Sequence, residues 1–246
     1  MPGDNKCQLT PEWNALTLVA KNQVTHNTFI FEFACPDESK PLYIPTCSCI
    51  LASIDPEAPK DRRAIRAYTP VSTNALVGRF QLLIKVYPDG KLTSRLVEMN
   101  VGDRVFFKQI EFNIKIQYQP KVGFRGIKKF GMIAGGSGIT PMMQVMNAVL
   151  GDKEREDAAD VKITLIFGNR TEKDIIAKDI LDDWVQDETV AKRLSIVHVL
   201  STEPRKSNWA GSRGYITKYF VERYLPPRTE DCLIFVCGVS VTSFSV

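Results

Sequence analysis

The stretch Arg66-Ala67-Tyr68-Thr69-Pro70-Val71-Ser72 puts a permanent cation, a phenol, a side-chain hydroxyl and a φ-locking proline on adjacent positions. A strand alternates its side chains between faces, so Arg66, Tyr68 and Pro70 point one way and Ala67, Thr69 and Val71 the other. Pro70 also keeps Thr69 out of helical space. A guanidinium pairs bidentately with phosphate oxygens, which leaves Tyr68 and Thr69 to lie along a sugar chain and a ring. That is the chemistry of a flavin site. The same residues also suit an edge strand ending in a turn, with Arg66 as a surface charge.

A second constellation follows a domain's length later. Phe130-Gly131-Met132-Ile133-Ala134 reads as a short buried strand, and it runs into Gly135-Gly136-Ser137-Gly138-Ile139-Thr140-Pro141. Met142, Met143, Val145, Met146, Val149 and Leu150 then recur at helical spacing. In such a strand, glycine loop and helix, the glycines let the backbone approach an anion, and the free N–H groups at the helix start bind phosphate without a lysine. The loop is neither G-x-G-x-x-G nor a Walker motif, because no Lys-Ser/Thr follows its last glycine.

With both motifs in order, the chain resembles the NADH–cytochrome b5 reductase family within the ferredoxin–NADP reductase-like flavoenzymes. The resemblance is carried by Arg66 to Ser72, by Ile84-Lys85-Val86-Tyr87, by Gly90-Lys91-Leu92-Thr93, by Gly135 to Pro141, by Asn169-Arg170-Thr171-Glu172-Lys173-Asp174-Ile175, and by Val236-Cys237-Gly238. It implies FAD as prosthetic group, a reduced pyridine nucleotide as donor and a one-electron haem protein of the cytochrome b5 type as acceptor. On the FAD side it implies Arg66, Tyr68, Thr69, Pro70 and Ser72, then Ile84, Lys85 and Tyr87, the pyrophosphate turn Gly90, Lys91, Leu92 and Thr93, and Thr140. On the NADH side it implies Lys85, Gly135, Gly136, Ser137, Gly138, Asn169, Arg170, Ser201, Cys237 and Gly238. Thr69, Lys85 and Cys237 are the residues expected beside the reacting rings. Lys85 also fits a strand face turned to solvent, and Cys237 a buried structural thiol.

Composition excludes several other classes. The 246 residues are 44% hydrophobic and 24% charged, which suits one large or two ordinary globular domains. A net charge of +4 with no basic, aromatic-interleaved patch gives no footprint for nucleic acid. Cys7, Cys35, Cys47, Cys49, Cys232 and Cys237 form no Cys-x-x-Cys pair, so free thiols are expected rather than disulfides or a metal site. No apolar run reaches the roughly 18–20 residues of a membrane-spanning helix. The expectation is a soluble monomer on the cytoplasmic side, associated with the endoplasmic reticulum or the mitochondrial outer membrane only where a longer chain carries an anchor.

The elements that must hold these residues divide the chain in two. Short β-rich runs at 16–21, 28–34, 48–54, 64–71, 79–86, 104–108 and 113–118 are separated by Pro, Asp, Asn and Gly. They predict an antiparallel six-stranded Greek-key barrel over 10–120, with a short helix at 93–99. After a charged linker at 121–129, strands at 131–134, 162–168, 194–200 and 233–237 alternate with helices at 140–150, 173–185 and 216–224. This predicts a doubly wound parallel sheet over 130–246 that binds the pyridine nucleotide beyond the carboxyl ends of its strands. His26 and His198 are isolated from any nucleophile or carboxylate motif and are read as structural.

The chain also departs from the family pattern. Lys108-Gln109-Ile110-Glu111-Phe112-Asn113 stands where relatives place a Gly-Pro-x-Gly turn, which alters the expected contacts to the adenine end of FAD. Cys237-Gly238 is followed by Val239 to Val246 rather than by Pro-Pro, a further helix and a last strand. The nucleotide domain is therefore expected to be C-terminally incomplete, and an FAD-binding module with impaired turnover stands beside the enzyme as an alternative, as does a reductase for another redox partner. Ser201 replaces the aspartate that NADH users of the family place after the third strand, so NADH is expected to be preferred and NADPH accepted to a measurable degree.

Overall fold

The computed structural model describes residues 6–110, 124, 126–151 and 160–238. They fall in two compact units, Met1–Lys115 and Ile116–Val246.

The first unit is a six-stranded antiparallel sheet of β1 (Asn14–Thr25), β2 (Thr28–Ala34), β3 (Ile50–Ser53), β4 (Arg66–Tyr68), β5 (Arg79–Lys85) and β6 (Arg104–Gln109), in the order β4-β3-β6-β1-β2-β5. Alternation dictates its inner face. Phe31 and Phe33 on β2, and Phe80, Leu82 and Ile84 on β5, are spaced by two and buried together with Leu18, Ile50 and Phe107. The rings of Phe33, Phe80 and Phe107 meet at 4.8–5.6 Å between centroids, in the offset and edge-on arrangements that aromatic quadrupoles favour. Bulges in β1 between Leu18 and Ala20 and between Gln23 and Thr25 coil the sheet. The two outermost strands return to each other just past β4. There Val71 N–H donates to the Gln81 carbonyl at 2.9 Å and Gln81 N–H donates to Ser72 Oγ at 3.0 Å. The barrel closes at the motif itself.

One end of the barrel carries α1 (Thr93–Glu98), whose Leu96, with Leu92 just before the helix, is buried in the core. Lys21 Nζ donates to the carbonyls of Val97 and Met99 at 2.8 and 2.7 Å. A cation is thereby placed on the carbonyl end of the helix, where orphan acceptors and the dipole both favour it.

The second unit is a five-stranded sheet of β7 (Lys129–Gly135), β8 (Lys162–Asn169), β9 (Leu194–Leu200), β10 (Ser212–Arg213) and β11 (Cys232–Gly238), in the order β10-β9-β8-β7-β11, with every pairing parallel. Phe130 to Ala134 are all buried, as a central parallel strand requires. The helices are α2 (Ile139–Gly151), α3 (Lys178–Gln186), α4 (Glu188–Ala191) and α5 (Lys218–Tyr224). The chain steps from β7 through β8 and β9 to β10 in one direction and then returns to place β11 on the other side of β7. That reversal is the switch point of an open α/β sheet, and its crevice lies beyond the carboxyl ends of β7 and β11.

The strand expected at 113–118 and the tail Val239 to Val246 lie outside the described residues. Among the described residues no helix is long and apolar enough to cross a membrane, and no group of His, Cys, Asp and Glu could hold a metal ion.

Candidate functional site

In the barrel unit, Arg66 and Tyr68 lie on β4 paired with Ala52 and Ile50 of β3. Arg66 is exposed, and its guanidinium donates to the Ile65 carbonyl at 2.8 Å with no carboxylate partner among the described residues. Tyr68 packs partly against the core. Burial pushes its phenol up to about 12, with the Arg66 charge opposing. The phenol therefore stays protonated at neutral pH and remains a hydrogen-bond donor. Thr69 is half-buried, whereas Pro70 is buried where the strand leaves the sheet. The Ser72 hydroxyl already accepts the Gln81 N–H, so it holds the motif in place by closing the barrel.

The second stretch of the barrel divides by face. Ile84 and Leu92, expected at the cofactor, bury their side chains in the core, so only their backbones can meet a ligand. Lys85 ends β5 opposite Thr28. Tyr87 is 47% exposed just beyond it, and its carbonyl accepts the Gly90 N–H at 2.9 Å. Thr93 Oγ1 accepts the Tyr87 N–H at 3.4 Å, and Lys91 Nζ donates to the Asp61 carbonyl at 3.1 Å. These bonds shape the turn before α1 and tie it to the loop before β4. An unpaired guanidinium, a protonated phenol, an exposed aromatic and a glycine turn with a lysine suit an anionic dinucleotide bearing a flat ring. The residues present fit FAD.

In the second unit the register aligns the predicted residues in rows. Gly238, Gly135 and Gly168 face one another across β11, β7 and β8, and Cys237, Ala134, Phe167 and His198 form the row before. The floor of the crevice is thus mainly backbone. Gly135 leads into a 3-10 turn, Gly136–Gly138, and then into α2. Gly136 has φ 53°, which an L side chain rarely adopts, and faces open space. Gly138 is buried so tightly against the Cys237 carbonyl that a Cβ would collide with it. Thr140 Oγ1 donates to the Ser137 carbonyl at 3.2 Å, fixing the turn on the helix. Pro141 occupies the first turn of α2, where a missing N–H costs nothing.

The loops after β8 and β9 are stitched together. Ser201 donates its N–H at 2.9 Å and its hydroxyl at 3.4 Å to the Asn169 carbonyl. Thr202 donates its N–H at 2.8 Å and its hydroxyl at 3.1 Å to the Arg170 carbonyl. The Asn169 side chain is 8% exposed, and neither its nitrogen nor its oxygen has a protein partner. An unsatisfied buried amide costs about 1–3 kcal/mol, so a polar ligand at these strand ends offsets a standing penalty. With the backbone-floored switch point, this orphan amide makes the crevice fit a pyridine dinucleotide.

Sequence reading missed the support behind this row. His198 lies between Phe167, at 5.9 Å, and Trp209, at 6.1 Å between ring centroids. Trp209 Nε1 donates to the Ser212 carbonyl at 3.2 Å. Burial depresses the His198 pKa; Asp182 opposes the shift and Lys178 adds to it. It is a neutral packing residue rather than a base.

Comparison with known proteins decides the family. Residues 15–114 match a family model described as the oxidoreductase FAD-binding domain, and residues 132–242 match the oxidoreductase NAD-binding domain. NADH-cytochrome b5 reductase 1 of Candida albicans is 35% identical over 229 residues, covering 92% of this chain and 71% of that protein. The chain belongs to the NADH-cytochrome b5 reductase family. A second member, the NADH-cytochrome b5 reductase-like protein of Arabidopsis thaliana, is 39% identical over 95% of this chain and 67% of its own length. Among solved structures, the cytochrome b5 reductase domain of Ulva prolifera nitrate reductase superposes with a TM-score of 0.79 at 26% identity, covering 96% of this chain and 90% of that one. The family's two-domain architecture is the one described above, and FAD and NADH are its cofactors.

Proposed function

We propose that this chain is an FAD-dependent oxidoreductase that takes a hydride from NADH and passes electrons singly to a cytochrome b5-type haem protein, acting as a monomer on the cytoplasmic side. One observation carries the reading: a single chain joins a barrel whose closure strand bears an unpaired Arg66 and a protonated Tyr68 to a parallel sheet with a backbone-floored switch point.

FAD, when bound, would supply the chemistry that couples a two-electron hydride donor to a one-electron acceptor. The protein's part is to bind, orient and exclude water. Arg66 and the Gly90–Thr93 turn would hold the pyrophosphate, and the Tyr68 phenol would donate a hydrogen bond along the sugar chain. Thr69, Pro70 and Tyr87 would hold the flat ring. Lys85, at the end of β5, would serve the FAD side. Gly136, Ser137 and Gly138 would let the nucleotide approach the backbone, Asn169 and Ser201 would meet its adenosine half, and Cys237 would serve the nicotinamide end. Hydride transfer needs no side-chain base, which agrees with the neutral, packed His198.

The reading is tested by measuring NADH–ferricyanide turnover per mole of bound flavin and then reduction of cytochrome b5, with spectra recorded throughout. The expected protein is yellow, is bleached by NADH without oxygen, and reduces both acceptors. A protein that retains flavin yet is not bleached by NADH is a flavin-binding module instead, and a bleached protein that reduces ferricyanide alone serves a different acceptor.

A further inference from the structure

Helix α5 covers only part of its face of the parallel sheet. Ile216, just before the helix, packs on β8, its Cδ1 3.2 Å from where a side chain on Gly168 would begin. At the other end Leu225 and Pro226 reach β7, where Gly131 has no side chain to hold them off and a Cβ would collide with Ile234. Seven residues of helix span only about 10 Å. The cover therefore stops at β7, and no residue of α5 or β11 is fully buried. Beyond it Ile234 and Val236, two apart and so on one face of β11, are 43% and 56% exposed. They border a groove of about 590 Å³ whose lining includes Ile133, Val221, Leu225 and Pro226.

The edge beside this groove is undefended. β11 is the outermost strand and pairs with β7 in regular register from Cys232 to Gly238, and among the described residues no strand lies on its other side. Its sequence, Cys-Leu-Ile-Phe-Val-Cys-Gly, has no charge, proline or bulge, the devices that keep exposed edges apart. Asp231, the charge just before it, is held by Lys129 of the same copy at 3.2 Å. The opposite edge of the sheet is poorly suited to pairing, because β10 is two residues long and carries Arg213. An acidic acceptor gains nothing from an uncharged strand. A second copy of the same strand does. Antiparallel pairing about a two-fold axis at Phe235 sets Ile234 of each copy opposite Val236 of the other and brings no charge against its like.

We propose that two copies of this chain pair antiparallel through β11, joining their parallel sheets into one continuous sheet with the two grooves side by side over the shared strands. The short, charged β10 closes the assembly at two copies. A single strand pair with a small apolar flank belongs to the weak class of interfaces. At the dilution of a turnover assay each copy therefore acts alone, as proposed above, and the pair forms as the chain is concentrated. The inference is independent of how either cofactor is held.

Sedimentation equilibrium of the flavin-loaded full chain tests it. Between about 1 and 200 μM the mean mass is expected to climb from one chain toward two, with a dissociation constant on the order of tens of micromolar. Val236→Lys puts a cation on the edge and is expected to raise that constant by about tenfold or more, with flavin content and thermal midpoint unchanged. Ile234→Glu is expected to weaken pairing in the same way. An equimolar mixture of the two variants is expected to recover it, because the new cation of one copy then lies opposite the new carboxylate of the other. A mean mass that stays at one chain throughout overturns the proposal, and slow amide exchange over 232–238 in that monomer would give the edge to another segment of the same chain. A mass that passes two chains, self-association unmoved by Val236→Lys, or a mixture that stays monomeric each overturns closed pairing through β11. None of these results touches the reductase reading, which turnover at assay dilution tests separately.

Discussion

Arg66 presents its guanidinium on the exposed side of β4, bonded only to the carbonyl beside it, while two residues on Tyr68 is drawn into the core. Under the proposed function the pair splits the work of a strand: one side chain would meet the cofactor's anion, and the other packs against the core behind it. Arg66→Ala is expected to lower FAD affinity by about 1.5–3 kcal/mol, the worth of a charged hydrogen bond, or roughly 10–150-fold in Kd. Flavin occupancy after gel filtration at micromolar protein measures this, and a variant that keeps its full flavin removes Arg66 from the site. Arg66→Lys should retain only part of the affinity, because an ammonium lacks the planar fork. His198 gives a pH prediction. Its Nδ1 is buried without a partner, and burial holds its pKa below the ordinary 6.5. A folded-state value below the unfolded one means that the stability it allows is present above about pH 6.5 and is lost as pH falls through the folded value. The urea midpoint of the native chain should therefore drop more steeply below pH 6.5 than that of His198→Phe, which keeps the packing between Phe167 and Trp209. Parallel slopes for the two proteins would assign the acid sensitivity to other groups.

At the scale of elements, the tight approach of the glycine turn to the end of β11 makes Gly138 a sharper test than its neighbours. Gly138→Ala is expected to destabilise by about 1–3 kcal/mol through overpacking against the Cys237 carbonyl and to raise the KM for NADH, with flavin content unchanged. Gly136→Ala meets open space and should cost only about 1–2 kcal/mol of left-handed strain. Equal NADH affinity in Gly138→Ala and the native chain would detach the turn from the nucleotide site. The same elements show what the sequence makes legible. Thr28–Ala34 and Leu194–Leu200 are read with the bounds observed, because each is a β-rich run between clear turn signals. The run 173–185, read as one helix, is a 3-10 turn at Glu172–Asp174 followed by α3. The Thr171 and Asp174 capping box closes the turn, Ile175 and Ile176 are drawn into the core, and Ala177 adopts φ 56° before the helix restarts. Good helix formers conceal that break, since alanine carries no mark of a left-handed residue. The two-residue β10 shows no periodicity at all. Local motifs are what a sequence can name as candidates, whereas the bond from Ser201 to Asn169 joins positions 32 apart and follows only from parallel pairing.

At the scale of the whole molecule, the question is which charges an acceptor meets. The net charge is +4, but a count does not locate a docking face. The sequence clusters cations at Lys60, Arg62 and Arg63 on one loop and at Lys121, Arg125, Lys128 and Lys129 on the linker, a pattern that would attract an acidic haem protein; of these, Lys121 and Arg125 lie outside the described residues. Lys128 is 3.4 Å from Asp160 and Lys129 is 3.2 Å from Asp231, so both charges are already partnered. Lys60, Arg62 and Arg63 remain exposed on the loop before β4, with Asp55, Glu57 and Asp61 on the same loop. This loop is tied to the Gly90–Thr93 turn, proposed above to hold the flavin, by Lys91, which donates to the Asp61 carbonyl at 3.1 Å. Charge that steers a partner here would deliver it close to the cofactor's edge in the barrel unit. Such steering acts through the Debye length, about 30 Å at 0.01 M salt and about 8 Å at 0.15 M, and raises association rates by roughly 10- to 1000-fold where it operates. The second-order rate of cytochrome b5 reduction is expected to fall several-fold across that salt range. Lys60→Gln, Arg62→Gln and Arg63→Gln together should flatten the dependence, while ferricyanide turnover at saturation still reports the intact flavin site. A native rate indifferent to salt would show that docking is governed by apolar fit, and a triple variant with the native slope would move the docking face away from this loop.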